Sequence, residues 1–283
     1  MRRLLLPLAA LAMAVPLATG GFSAAQAEDK ITDSQALAVV LADPRRDRDR
    51  VRDQYRHPAE TLAFFKVKPG MTVVDYMPST GWWTRVLVPY LGESGRYIGL
   101  NPDVRNGPDM MRRAFSSLAD TFPAQAAQWT GVMPERIGAY NSDSLPEDLG
   151  GKVDRVLIFR EMHNLWRTDM LRRELTTVRG LLKDNGLLGI EQHRARSNAR
   201  ADYTDGNKGY MREADVIALV EATGFELVGK SNINQNKRDP ANHEGGVWML
   251  PPNLRNATTE AQRARMLEIG ESDRMTLLFK MRR

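Results

Sequence analysis

The sequence predicts an α/β fold: a mostly parallel seven-stranded sheet with helices on both faces and an N-terminal helical arm. Three observations carry this expectation. Short apolar runs alternate with amphipathic stretches from Met71 to the end of the chain, the pattern of a parallel sheet covered by helices. Val156-Leu-Ile-Phe159 is an unbroken apolar run, as a strand buried on both faces requires. The stretch Met71–Leu91 reads as strand, acid (Asp75), tight Pro/Ser/Thr/Gly turn and helix. That order sets unpaired amides and a positive helix end at the carboxyl edge of a strand, a common place for nucleotide-like ligands.

The elements follow in order. Asp33–Ala42 forms a helix, with Thr32 and Gln35 at capping-box spacing, and Asp43-Pro44 breaks it. Arg45–Arg50 alternates in charge and reads as a solvated arm or helix face. Pro58 opens a helix to Phe65, and Lys68-Pro69-Gly70 turns into the first strand, Met71–Met77. A helix over Trp82–Leu91 leads through Gly92 and Gly95 to strand Arg96–Leu100, and a helix over Asp109–Trp129, with a break at Pro123, leads to strand Arg136–Tyr140. After the loop Asn141–Lys152 come strand Val153–Arg160, helix Thr168–Leu182, and strand Leu187–His193. Helix Arg212–Thr223 and strand Phe225–Ser231 precede a Pro/Asn/Gly-rich insertion, Asn232–Asp273, and a last strand, Met275–Met281. The insertion replaces a crossover helix, which suits an antiparallel last strand within the edge of the sheet.

Composition narrows the function classes. Arg2 and Arg3, the apolar run Leu4–Ala18 and Ala25-Gln26-Ala27 read as a secretory signal peptide over residues 1–27. The expected location is therefore exported, periplasmic, with no stable membrane span after cleavage. The chain has no cysteine. That agrees with an oxidising compartment and excludes thiolate nucleophiles, disulfides and Cys-ligated metals. Removing residues 1–27 removes two arginines and no acid, leaving 38 basic and 35 acidic side chains. This near balance argues against a nucleic-acid partner. The domains expected are the leader, a helical arm over 28–66, and an α/β domain over 67–283 with its insertion at 232–273.

Several motifs share an order and spacing: Asp53-Gln-Tyr-Arg-His-Pro58, Lys68-Pro-Gly-Met-Thr-Val-Val74, Gly81-Trp-Trp-Thr84, Val88-Pro-Tyr-Leu91, Gln192-His-Arg-Ala195, Val220-Glu-Ala-Thr-Gly-Phe225, Asn236-Lys-Arg-Asp-Pro240 and Ser272-Asp-Arg274 before Leu277-Leu-Phe-Lys280. Together they resemble a class I S-adenosylmethionine-dependent methyltransferase, more narrowly the bacterial group of exported predicted methyltransferases. The resemblance implies a Rossmann-like methyltransferase fold and S-adenosylmethionine as cofactor. In that family an acid and three alternate glycines follow the first strand. Here the acid is Asp75, and the glycine positions carry Met77, Ser79 and Gly81. Pro78 reshapes this turn and removes one N–H donor.

The ribose-binding acid corresponds to Asn101, with Asp103 two residues on; the pair reads either as a ribose site or as an Asn-Pro turn with an exposed acid. Asp143 in Asn141-Ser-Asp143 matches the acid that receives the adenine amino group, or else caps the next turn. The implied cofactor-binding set is Asp75, Ser79, Gly81, Asn101, Asp103 and Asp143.

The family's acceptor site lies over the fourth and fifth strand ends, here Arg160-Glu-Met-His-Asn164 and Glu191-Gln-His-Arg194. A hydroxyl or ammonium acceptor needs a positioned base, and histidine suits that role near neutral pH. His163 and His193 are the candidate bases, with Glu161 as orienter or alternate base. Each histidine equally suits a structural role. No His-x-His or His-Glu-x-x-His pair is present, so no metal site is expected. Tyr55, Arg56 and His57 are candidates for a lid over the turn, and one of Trp82 and Trp83 for a wall of the ligand cleft. The expected function is methyl transfer to a small-molecule or cell-envelope substrate. The alternatives are a non-catalytic periplasmic binding or scaffolding protein on the same fold, or another reaction such as hydrolysis.

Overall fold

The computed structural model describes residues 32–105, 107 and 109–283. The expected signal peptide lies outside the described residues. Helix α1 (Asp33–Leu41) starts at the predicted capping box, with Thr32 and Gln35 bonding each other's backbone amides. The arm continues through the short helices α2 (Asp47–Arg50), α3 (Asp53–Arg56) and α4 (Pro58–Phe64).

The seven-stranded sheet is present. Its strands are β1 (Thr72–Tyr76), β2 (Arg96–Asn101), β3 (Ile137–Asn141), β4 (Val153–Phe159), β5 (Leu182–His193), β6 (Phe225–Ser231) and β7 (Arg274–Met281). They lie in the order β3-β2-β1-β4-β5-β7-β6. The first five pair in parallel, whereas β7 is antiparallel to both β5 and β6. Geometry explains the reversal. β6 runs in the direction of β5 and ends at the carboxyl edge, and β7 begins there, with Arg274 opposite His193. Residues 232–273 therefore start and finish at that edge instead of crossing back over a face.

Successive strand residues feed two cores, one on each face. Val74, Tyr76, Val156, Ile158, Leu277 and Phe279 belong to one, and Val73, Leu157 and Leu278 to the other. This period-2 alternation explains why the buried strands read as continuous apolar runs. Each fully buried Leu or Val contributes about 1.5–3 kcal/mol, so the central strands are the anchor for everything at their ends.

The helices differ from expectation in detail. α5 (Thr84–Leu91) begins two residues late, because Trp82 and Trp83 complete the preceding turn. The long helix expected over 109–129 is split into α6 (Asp109–Phe115) and α7 (Leu118–Thr130), and Pro123 lies inside α7. Pro123 forfeits one amide, but its neighbours Phe122 and Ala126 are buried and hold the helix through it. The helix expected from Thr168 is preceded by an unforeseen α8 (Met162–Arg167), and its main body is α9 (Leu171–Leu181). The remaining helices are α10 (Ala201–Thr204), α11 (Glu213–Glu221) and α12 (Glu260–Ile269), the last within the insertion.

Arg45–Arg50 is not simply a solvated face. Arg46 is buried and paired with Asp53, and Asp49 is buried and paired with Arg85. The alternating charges put one member of each pair inward, where a partner from another element compensates it. No helix among the described residues is long and apolar enough to cross a membrane.

Candidate active site

A cleft of about 320 Å³ opens at the carboxyl edge, where β1, β4 and β5 end. Its floor is the turn after β1. Met77, Ser79 and Gly81 all have left-handed backbone, with φ of 55°, 52° and 75°. The chain therefore keeps the alternating path of a glycine turn at two positions that carry side chains, at a conformational penalty of about 1–2 kcal/mol each. Gly81 has a second constraint: a Cβ there would run into the Trp129 ring.

Asp75, the acid before this turn, is buried and accepts a hydrogen bond from the Tyr97 hydroxyl at 2.8 Å. Loss of hydration outweighs that bond and raises its carboxyl to about 7. Glu161, just past β4, lies in the cleft wall and accepts from Asn164 Nδ2 at 2.6 Å. Its carboxyl is also raised to about 7 by desolvation. Glu161 thus orients neither histidine; Asn164 is its partner.

The two histidines come together, with ring centroids 5.6 Å apart. His193 lines the cleft, and its Nδ1 meets Ser272 Oγ at 2.6 Å, leaving Nε2 as the nitrogen for a substrate proton. Burial and the neighbouring His163 ring lower its pKa well below the usual value, so the ring stays neutral and takes up a proton less readily than a free imidazole. His163 sits behind the cleft, edge-on to Trp248 and facing Gln192 Oε1 at 3.4 Å. Its pKa falls to about 4 through desolvation.

The insertion forms the opposite wall. Val247, Trp248 and Leu250–Asn253 line the cleft, and Ser272 at the end of the same insertion fixes His193. From the arm come Arg52 and Arg56, the latter stacked 4.5 Å over Trp82. Of the lid candidates, Arg56 reaches the cleft, whereas His57 turns away to Asn234. Both tryptophans line it: Trp83 stacks on Phe159 at 4.1 Å, and Trp82 meets Trp83 edge-on.

The other expected cofactor positions gather elsewhere. Asp143 lines a second cavity of about 490 Å³, beside Val104 and Arg105. Arg105 bridges Asp103 and Asp143, at 3.0 and 3.1 Å. Asn101 is buried and donates to the Phe115 carbonyl at 3.3 Å. An unforeseen residue ties the two regions: Glu174 of α9 accepts from the Tyr76 hydroxyl at 2.8 Å and from Ser142 Oγ at 3.1 Å. A carboxylate in mid-helix carries no sequence signal for such a contact. Among the described residues, no group of three His, Asp or Glu side chains gathers as a metal site.

No family model matches the sequence, and no curated protein matches it. Solved structures do. The [4+2]-cyclase SpnF superposes with a TM-score of 0.51 at 13% identity, over 80% of each chain. A putative sarcosine dimethylglycine methyltransferase from Galdieria sulphuraria superposes at 0.50 and 11%, covering 83% of this chain and 88% of that one. This chain has the class I methyltransferase fold. At such identities the likeness defines the architecture, and one of the two structures is named for a cyclisation, so a methyltransferase fold does not by itself name the reaction.

S-adenosylmethionine, the cofactor the fold implies, can be tested against these residues. At one end the turn keeps a glycine-type backbone beside an acid and an open cleft; at the other, Asp143 borders a separate cavity. Both ends fit. Met77 lines the first cavity and Val104 the second, and the two belong to one packed cluster.

Proposed function

We propose that this chain is an exported S-adenosylmethionine-dependent methyltransferase that acts on a small-molecule or cell-envelope acceptor. The observation that carries the reading is the convergence of Asp75, the left-handed turn, Glu161 and His193 on one cleft at the strand ends. S-adenosylmethionine, when bound, supplies an electrophilic methyl group. Asp75, Ser79 and Gly81 would hold its amino-acid end, Asn101 and Asp103 its ribose, and Asp143 its adenine.

The chain's own work is then alignment of the acceptor and removal of its proton. His193 is the better placed of the two histidines to act as base, because it lines the cleft and, with Nδ1 on Ser272, its Nε2 has no partner among the described residues. His163 would act as a positioning residue beneath it. The reading of residues 1–27 as a signal peptide supports a periplasmic site for this activity.

Isothermal titration of the full chain with S-adenosylmethionine and S-adenosylhomocysteine tests the cofactor assignment. Heat of binding with micromolar to millimolar affinity is expected, and no heat at millimolar ligand sinks it. One observation favours a second reading, a non-catalytic binding protein on this fold: Asp103 and Asp143 are both held by Arg105, and Asn101 by the Phe115 carbonyl. Transfer of a labelled methyl group to any cell-envelope fraction would refute that version.

A further inference from the structure

The cleft carries more positive charge than the carboxylates paired with it compensate. Arg52, Arg56 and Arg160 line it, and Arg274 lies directly behind them. Two carboxylates serve all four. Glu271 pairs with Arg52 at 2.6 Å, Arg56 at 3.1 Å and Arg274 at 3.2 Å. Glu191 pairs with Arg274 at 2.9 Å and Arg160 at 3.4 Å. Four guanidinium groups against two carboxylates leave two formal charges over. Asp75 and Glu161, both raised to about 7 by desolvation, make up only part of the difference at neutral pH. Arg52 registers the excess: burial, and then the nearby charges of Arg160 and Arg274, lower its pKa despite its bond to Glu271.

Two buried donors on the cleft wall have no partner among the described residues. They are Arg56 Nη1 and Trp83 Nε1, on side chains 2% and 3% exposed. A buried N–H without an acceptor is costly, and both of these ask for an oxygen. Arg160 reaches the cleft from a left-handed position, φ 63°, a strained conformation for a long side chain of the kind that collects at ligand sites. Four aromatic side chains, Trp82, Trp83, Phe159 and Trp248, also line it and offer faces for a planar body.

We infer that the acceptor taken by this cleft is an organic oxyanion: a flat, largely apolar body whose carboxylate or phosphate group is clamped by Arg52, Arg56 and Arg160. The word acceptor rests on the methyltransferase reading above; the oxyanion site does not. The anionic group is the handle and not the reacting atom. Guanidinium forks suit planar oxyanions because they offer paired donors. A neutral or cationic acceptor would leave the clamp's charge uncompensated beside an already cationic sulfonium.

Titration of the full chain with benzoate, phenyl phosphate, inorganic phosphate and the neutral isostere benzamide tests this, with and without saturating S-adenosylhomocysteine. Benzoate or phenyl phosphate should bind, benzamide should not, and affinity should fall with salt. The tighter of the two aromatic anions identifies carboxylate or phosphate chemistry. R160Q, at a part-exposed position, should weaken binding about tenfold or more, and R52Q should do the same, with circular dichroism and melting temperature checking that each variant is folded. Equal binding of benzamide and benzoate, no binding by either aromatic anion, or unchanged affinity in both folded variants overturns the clamp. Competition between benzoate and S-adenosylhomocysteine, with both weakened alike by R160Q, reassigns the arginines to the cofactor's own carboxylate and overturns the acceptor assignment. Anion binding without any S-adenosylhomocysteine binding removes the methyltransferase reading and leaves the oxyanion site standing.

Discussion

Asp75 carries the clearest residue-scale consequence. Its carboxyl is raised to about 7 in the folded chain from 3.8. Between those values the native state holds a proton that the unfolded chain has released, so this group's contribution to stability falls as pH rises from about 4 to 7. Asp75→Asn removes the titration while keeping an acceptor for Tyr97. Relative to the parent, the variant should gain on the order of 2–4 kcal/mol between pH 4 and pH 8, read from urea midpoints across that range. A difference that does not change with pH counts against the buried-acid account. His163 acts in the opposite sense: its pKa of about 4 lies below the usual 6.5, so its contribution is lost as pH falls through that window. The histidine pair was legible as two chemistry-bearing residues at adjacent strand ends. That only one of them reaches the cleft was not, because Trp248, from far along the chain, decides it.

At the scale of elements, the turn between β1 and α5 is the most informative. Its sequence departs from glycine at 77 and 79, yet the backbone keeps left-handed angles there. Packing imposes this: the Met77 amide bonds the Leu100 carbonyl at 2.7 Å, and the Gly81 amide bonds the Pro78 carbonyl at 2.9 Å. Ser79→Gly should therefore stabilise the chain by about 0.5–1 kcal/mol, since glycine adopts the angle without steric penalty. Denaturant unfolding checks it, and a loss of stability would mean that the Ser79 side chain contributes something its backbone strain conceals. The residues at 77–81 could be read directly from the sequence as a strand-to-helix turn. Their angles could not, because side-chain identity at two positions argued for a different path.

For the whole molecule, the insertion between β6 and β7 is the decisive part. It returns to the edge it left, so it becomes a wall of the cleft. Asp239 organises it. Its carboxylate accepts from the Tyr210 hydroxyl at 2.9 Å, from the Asp273 and Ala241 amides at 2.8 Å each, and meets His243 Nε2 at 3.0 Å. Asp239→Ala strands these groups and should cost about 3 kcal/mol or more. Because Ser272 adjoins Asp273, the change should also loosen His193 and weaken ligand binding. Chemical denaturation and titration with S-adenosylhomocysteine measure the two effects; a variant as stable as the parent overturns Asp239 as the organiser. Asn236-Lys-Arg-Asp-Pro240 and Ser272-Asp-Arg274 stood out in the sequence, and here they bind each other, with Asp273 Oδ1 accepting from the Asn236 amide at 2.9 Å.

The amino-acid order alone was enough for the α/β class, seven strands, the first helix cap and the strand-end positions of Asp75, Glu161, His163 and His193. Those depend on local periodicity and turn chemistry, which a short stretch of chain carries within itself. Tertiary structure decided the burial of Arg56 over Trp82, the partnership of Ser272 with His193, and the surplus of positive charge around the cleft. Each of these joins residues separated by tens to hundreds of positions. Burial and charge balance are properties of what meets in space, and residues read one after another do not contain them.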